Sequence, residues 1–559
     1  MDRRRFLRLA PAGAAAAQAV AAQIAQRIEG PPRFINRKTG AHPFRARDLP
    51  RRPHIFVITV DMVSPDHYHH TRTLHREMEL PALRGLSQDG VVFRNAFCTS
   101  PLCAPARAAL ATGRYPYITA NGERAHDGHE TILRPSDVIF QEYLKATGYR
   151  TKHAGKGHLG TQKFMDAFDE NDNAWDRWAP PIHDDELYLS YLKRLGVRPQ
   201  RYRREIRGLQ QDRKTPQASL GGWIEQGDGR PFPIEAQYSH FLAERAIQKL
   251  DAALTEKGPV YLQLDFFDPH QPFSVPAGLE EREKALRAAV ALPRSYEEAR
   301  ARDFRPAPEE PKIYGFYRRS WGLYDAETVR DYRVANALQM EIADRAIGRF
   351  VAALRERNLY DDALIVFTAD HGEMNGRRAL VDKGVYLYPD VVRVPLVVKM
   401  PGGRARAVDA PVSHLDLAPT LLELAGIEPA ERLDGRSLLP HLAGNAPAAD
   451  RDLLFECGWH TGVNFACAIQ RWDPAGGHHL YSYNLSSEID ELYDLDSPDA
   501  ENLARRPEHA RLYTDMVRRM GEFLEKDPRW IGYWHSFRVD RYFELPRRDS
   551  GDYQMFRPV

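Results

Sequence analysis

A chain of 559 residues with 78 basic and 77 acidic side chains, formally +1 at neutral pH, lacks the charge imbalance of a bulk nucleic-acid binder. Its 43% hydrophobic and 10% aromatic content suits large packed domains, and four cysteines are too few for a disulfide framework. Past the N-terminus no apolar run reaches the roughly 18 to 20 residues that a membrane span requires.

Residues 1–25 read as an export leader. Arg3-Arg4-Arg5-Phe6-Leu7 precedes an Ala-rich, weakly apolar stretch from Leu9 to Ala22, with Ala19-Val20-Ala21 as a small-x-small cleavage candidate. That is the layout of a twin-arginine signal, and it predicts handling by the twin-arginine machinery and a periplasmic or extracellular location in a bacterium. After a Pro- and Arg-rich lead-in comes the run His54 to Asp61, a continuous β-branched stretch ending in an acid. It predicts a buried parallel strand that delivers a carboxylate to the C-terminal edge of a sheet. Ala363 to Asp370 repeats the pattern and is followed at once by His371-Gly372-Glu373. Further strands are expected at Gly90–Phe97, Pro259–Phe267 and Arg393–Val398, and helices at Ser136–Thr147 and Tyr332–Arg357.

Alternating strands and helices predict an α/β fold, a large doubly wound mixed sheet flanked by helices over residues 50–443. Residues 165–255, rich in charge and poor in clear strands, read as an insertion over the active face, with Arg201 to Arg213 as a solvated helix face. Gly444 to Asp450 reads as a linker to a smaller C-terminal α+β domain, 451–559, with a helix at Pro507–Leu524. The last stretch, with Trp530, Tyr533, Trp534, Phe537, Tyr542 and Phe543, is too aromatic for a free tail. It is expected to pack on the body or on a second copy of the chain, which leaves a homo-oligomer open. Cys457 and Cys467 are candidates to pair across a hairpin; spacing alone does not decide it.

The chemistry concentrates around Ser100-Pro101-Leu102-Cys103-Ala104-Pro105-Ala106-Arg107, where a strand hands over to an Ala-rich helix that stops at Gly113. A helix N-terminus favours an anion, and Arg107, one turn on, adds a guanidinium suited to an oxyanion. The pattern Cys-x-Pro-x-Arg, followed by Thr112-Gly113-Arg114, resembles the signature of type I sulfatases, members of the alkaline phosphatase-like superfamily. In that family the cysteine is oxidised by a formylglycine-generating enzyme to formylglycine, the nucleophile. Gly155-Lys156-Gly157-His158-Leu159-Gly160 resembles the family's Gly-Lys-x-His-Leu-Gly segment, and Asp268-Pro269-His270-Gln271-Pro272-Phe273 its His-x-Pro-Phe element. Lys383-Gly384 matches its second sulfate-binding lysine, and the Arg436 segment matches one read as structural.

The resemblance implies hydrolysis of sulfate monoesters, of a sulfated carbohydrate or a small aryl or alkyl alcohol. Cys103, Arg107, His158 and His270 would be catalytic, Lys156 and Lys383 would grip sulfate, and Asp61, Cys103, Asp370 and His371 would hold a divalent metal. Ca²⁺ is the first expectation, with Mg²⁺ or Mn²⁺ also admissible. Two departures stand out. Where sulfatases usually carry two adjacent acids, Asp61 is followed by Met62; Asp66 is then either a substitute ligand or, by preference, a helix cap. His371 stands where many sulfatases have Asn and where some relatives that cleave phosphate or phosphonate esters have His. A phosphonate monoester or phosphodiester hydrolase is therefore the first alternative, and a catalytically silent sulfoglycan-binding protein the second.

Overall fold

The computed structural model describes residues 31–542, except 37–39, 48, 50–51, 117–132, 134–136, 160–161, 173–175, 447–450, 474–476, 486 and 488. The expected export leader, residues 1–25, lies outside the described residues, as does the end of the aromatic tail. No helix among the described residues is long and apolar enough to cross a membrane.

An eight-stranded mixed sheet organises the larger part of the chain. Ile55–Val60 lies at its centre, buried at every position because helices cover both faces. Leu364–Ala369 pairs with it in parallel on one side and Val260–Asp265 on the other, with Arg150–Gly155 beyond the latter, also parallel. Arg393–Lys399 runs antiparallel to Leu364–Ala369 and to Val91–Phe97, so Val91–Phe97 recovers the common direction. The 31-residue helix Ala326–Glu356 and the helix Tyr238–Leu254 pack against each other and flank this sheet. All the strands that share one direction therefore end at the same edge.

The C-terminal part is a four-stranded antiparallel sheet, Leu453–Trp459, Val463–Asp473, Gly477–Asn484 and Glu491–Asp494, covered by the helix Ala510–Lys526. The tail packs on the body: Trp530, Tyr533, Trp534 and Phe537 are buried with Tyr481, Tyr483 and Met516 of this layer. Cys457 and Cys467 are both free thiols. Glu456 faces Cys467 across the two strands and Cys457 faces Ala466, which places the two cysteines on opposite faces of the sheet, each in a different apolar cluster.

Residues 165–255 depart from the expectation of a strand-poor insertion. Arg201 to Arg213 is not a helix face. Gln200–Leu209 and Pro216–Gln226 form a long antiparallel hairpin, to which Phe273–Val275 adds a parallel third strand. Gln200, Ile206 and Gly208 are buried at even spacing while Arg201, Arg203 and Arg207 face outward, a period of two hidden by the charge and interrupted by Arg204 at an even position. Their charge is largely neutralised: Arg201 pairs with Glu225, Arg204 with Glu283, Arg207 with Glu205 and Arg213 with Asp303. Arg204 also lies 3.4 Å from the centre of the Trp223 ring.

Gly155 ends its strand at φ +103°, and a Cβ there would stand 1.8 Å from the Asp265 carbonyl oxygen. Gly85, inside the helix Pro81–Asp89, has an ordinary helical backbone, and a Cβ there would meet nothing within 4 Å. Gly155→Ala should therefore cost about 3 kcal/mol or more, or prevent folding. Gly85→Ala should stabilise by about 0.5–1 kcal/mol. Chemical denaturation of the two variants beside the parent checks both signs.

Candidate active site

The common sheet edge collects the side chains singled out from the sequence. Asp61 follows the central strand, Asp370 and His371 follow Leu364–Ala369, Lys156 follows Arg150–Gly155, and His270 lies just past Val260–Asp265. Val91–Phe97 leads into the helix Cys103–Thr112, which begins at Cys103 itself and closes on Gly113 at φ +66°. Its first turn thus places the Cys103 side chain at the positive end of the helix dipole.

Asp61, Cys103, Asp370 and His371 each offer one donor atom, all within 4.8 Å of one another and all buried. Cys103 Sγ lies 3.2 Å from His371 Nε2 and 3.9 Å from Asp61 Oδ1. His371 Nδ1 is 3.0 Å from the Gly372 carbonyl oxygen, an acceptor, so Nδ1 carries the proton and Nε2 turns to the cluster. Burial alone would lower the His371 pKa, but the Asp370 and Cys103 charges raise it to about 9. Burial and the neighbouring Asp61 charge push the Asp370 carboxyl up. Two carboxylates, an imidazole nitrogen and a sulfur in one dry pocket demand positive charge at their centre, and this donor set fits a divalent cation.

Three cations border it. Lys156 Nζ bonds Asp61 Oδ2, lies 3.8 Å from Cys103 Sγ and donates to the Trp178 carbonyl at 3.0 Å. Burial would raise the Asp61 pKa; Lys156, with His270 and Arg107, brings it down to about 2. Arg107 donates through Nε to Asp370 at 2.9 Å and through Nη1 to the Lys156 carbonyl at 2.5 Å. Its Nη2 is buried with no hydrogen-bond partner. Lys383 Nζ lies 2.7 Å from His270 Nε2 and 3.1 Å from Asp382. His270 Nδ1 meets the Gln271 carbonyl, so Nδ1–H donates there and Nε2 accepts from Lys383. His158, at φ +49° and half-buried, stands two residues beyond Lys156 and outside the four-donor cluster.

Asp66 is neither cap nor ligand. Ser64 caps the short helix Pro65–Tyr68, and both Asp66 oxygens accept the fork of Arg377, at 2.9 and 2.6 Å, with Arg333 at 3.1 Å. Met62 brings no acid of its own. Its backbone, at φ +58°, turns its N–H onto Asp370 Oδ1 at 3.0 Å. Sequence reasoning missed Asp265, 3.7 Å from Arg107, although it ends a strand as Asp61 does. It also missed the pair of arginines that hold the loop between His371 and Lys383. Arg377 grips Asp66 and Asp390, while Arg378 Nη1 donates to Glu310 at 3.0 Å and Arg318 binds the same carboxylate bidentately at 2.9 and 2.7 Å. No local motif announces such partners, which come from segments far apart in the chain.

Residues 53–427 match the sulfatase family model, and residues 376–526 match that of the N-sulphoglucosamine sulphohydrolase C-terminal region. The chain belongs to the sulfatase family, the sulfuric ester hydrolases of the alkaline phosphatase-like superfamily. Among curated proteins it is 29% identical over 360 residues to an uncharacterized sulfatase, YidJ, of Escherichia coli, an alignment covering 63% of this chain and 64% of that protein. The chain thus spans just under two thirds of the length of that relative. It is 26% identical over 482 residues to the choline-sulfatase of Rhizobium meliloti, covering 82% and 83%. The phosphonate monoester hydrolase of Silicibacter pomeroyi shares the fold, with a TM-score of 0.66 at 23% identity over 85% of this chain and 96% of that one.

The Glu310 clamp gives stability a pH dependence of definite sign. Burial would raise the Glu310 pKa, but Arg318 and Arg378 lower it from 4.5 to about 2. A carboxyl depressed in the folded state stabilises fully above its unfolded pKa, and the contribution is lost as pH falls towards the folded value. Glu310→Gln should remove on the order of 3 kcal/mol at neutral pH and flatten the decline in unfolding free energy below pH 4.5, as followed by urea denaturation.

Proposed function

We propose that the protein hydrolyses sulfate monoesters of an alcohol, with Cys103 matured to formylglycine as the nucleophile. The observation that carries this reading is the placement of Cys103 at the first position of a buried helix, with Asp61, Asp370 and His371 on one side and Lys156, Arg107 and Lys383 around it. A buried thiol with no chemical task has no use for such surroundings. Cys98, Cys457 and Cys467 sit in the protein interior with their pKa values pushed up by burial.

Formylglycine, once formed, supplies a hydrated aldehyde whose second hydroxyl allows sulfate to be released, and a divalent cation, Ca²⁺ foremost, supplies positive charge held by Asp61, Asp370, His371 and residue 103. The chain's own residues do the rest. Lys156 and Lys383 neutralise the non-bridging oxygens of the ester in a site closed to bulk water. Arg107 fixes Asp370 and the Lys156 backbone, and its Nη2, 3.8 Å from Asp61 and without a hydrogen bond, leaves a donor for an anionic oxygen. The Lys383–His270 pair shares one proton. Because His270 Nε2 accepts from Lys383, a proton passed from the ammonium to Nε2 is handed on to the leaving oxygen, which leaves Lys383 neutral until it is reprotonated. His158 is assigned to the breakdown of the covalent intermediate, from its place in the Lys156 segment.

A sulfated sugar or small sulfated molecule is the substrate class, maturation falls to a formylglycine-generating enzyme, and export by the twin-arginine route places the work outside the cytoplasm. The phosphonate reading keeps one observation in its favour, the imidazole of His371 against Cys103 Sγ.

Mass spectrometry of the peptide spanning Cys103, from protein co-expressed with a formylglycine-generating enzyme, should find sulfur replaced by an aldehyde oxygen; turnover of sulfate esters by unmodified thiol enzyme would overturn the mechanism. His270→Ala should slow esters of poorly acidic alkyl alcohols by about 10²–10⁴-fold and nitrophenyl sulfate far less, since a good leaving group needs little protonation. Steady-state rates on the two esters, repeated with the matching phosphonates, check both the role and the substrate class.

A further inference from the structure

The donors around Cys103 are almost entirely enclosed: Asp61, Lys156, Asp370 and His371 have no exposed surface, and Cys103, Lys383, Arg107 and His270 very little. One large side chain beside them does not follow this rule. Trp178, in the segment that leads from the Lys156 loop to the hairpin, is 58% exposed, the most exposed tryptophan among the described large apolar residues. Two contacts fix its position. Its carbonyl oxygen accepts the Lys156 ammonium at 3.0 Å, and its indole lies 6.2 Å from the His270 ring, tilted by 65°. The indole therefore stands edge-to-face against the imidazole that meets the leaving oxygen, with much of its surface open to solvent.

An ester bound with its anionic oxygens among Lys156, Lys383 and Arg107 must present its bridging oxygen to His270. The group carried by that oxygen then extends away from the buried charges, towards the side on which Trp178 is exposed. A large apolar ring left in water is unfavourable unless something covers it, and a flat face stacked on indole gains both buried area and dispersion contact. We infer that Trp178 is a specificity-determining wall for the alcohol, selecting substrates whose sulfated oxygen is carried on or next to a ring, aryl or pyranose. This deepens the proposed sulfatase reading and rests on it. The residue would act on binding of the alcohol and not on the sulfate, because the carbonyl that holds Lys156 belongs to the backbone and survives any side-chain change.

The test uses the matured full chain and three esters: phenyl sulfate, glucose 6-sulfate and methyl sulfate. Trp178→Ala should lower kcat/KM for at least one ring ester about tenfold, mainly through KM, and at least five times more than for methyl sulfate. Trp178→Phe, which keeps a ring and guards against a general loss of folding, should restore most of the difference. An equal loss on all three esters would mean that the side chain acts only by supporting Lys156 and would overturn the inference; so would no loss on either ring ester. Calorimetric titration of Cys103→Ala enzyme, which cannot turn over, separates this outcome from failure of the sulfatase reading. If phenyl phosphonate monoester binds there and phenyl sulfate does not, the sulfatase reading fails, while weaker binding of the phosphonate on adding Trp178→Ala still supports the wall. Unchanged binding of whichever ring ester binds, or binding of neither, overturns it.

Discussion

The site depends on mutual compensation of buried charge. Asp61, Asp370 and Asp382 face Arg107, Lys156 and Lys383 in a space from which solvent is excluded. Each such ion, moved alone out of water, would cost several kcal/mol, so none of them is tolerable without the others. That constraint explains why the fold delivers them from one edge. Only strands sharing a direction place their exits side by side, and a chain that must assemble acids from residues 61 and 370 with a lysine from 156 needs a parallel centre. The one antiparallel strand, Arg393–Lys399, starts at that same edge, downstream of the loop carrying Lys383.

Compensation is incomplete by design of the donor set. Arg107 Nη2 makes no hydrogen bond and stands 3.8 Å from Asp61, the Asp370 carboxyl is pushed up, and His371 is drawn towards the charged form. These are the features expected of surroundings shaped around a cation and an anionic ester. They separate a working centre from a structural ion-pair network such as that of Asp66, whose oxygens are taken up by Arg377 and Arg333.

The central strands and the residues at their ends were legible in the sequence, because a fully buried parallel strand writes itself as an uninterrupted apolar run and an acid at its end breaks that run visibly. Cys103, Arg107, Lys156, His270 and Lys383 were legible as short patterns. Arg201–Arg213 was not: arginines at both inward-leaning and outward positions masked the alternation, and only the pairing with Pro216–Gln226 reveals a strand. Asp66 was misread because its partners, Arg333 and Arg377, lie about three hundred residues away and leave no local trace. Trp178 carries no pattern at all; its significance comes from the imidazole beside it.

The second sheet also has a consequence for how the molecule is divided. Arg377 Nε reaches the Pro498 carbonyl, Arg378 and Tyr388 both reach the Ala500 carbonyl, and Arg393 reaches that of Leu495. The loop bearing Lys383 is thus anchored on one side to Asp66 and Glu310 and on the other to the segment that follows the last C-terminal strand. What sequence boundaries suggest are two modules is, mechanically, one arch with a shared keystone. Exchanging the C-terminal part with that of a relative would reset the footing of Lys383.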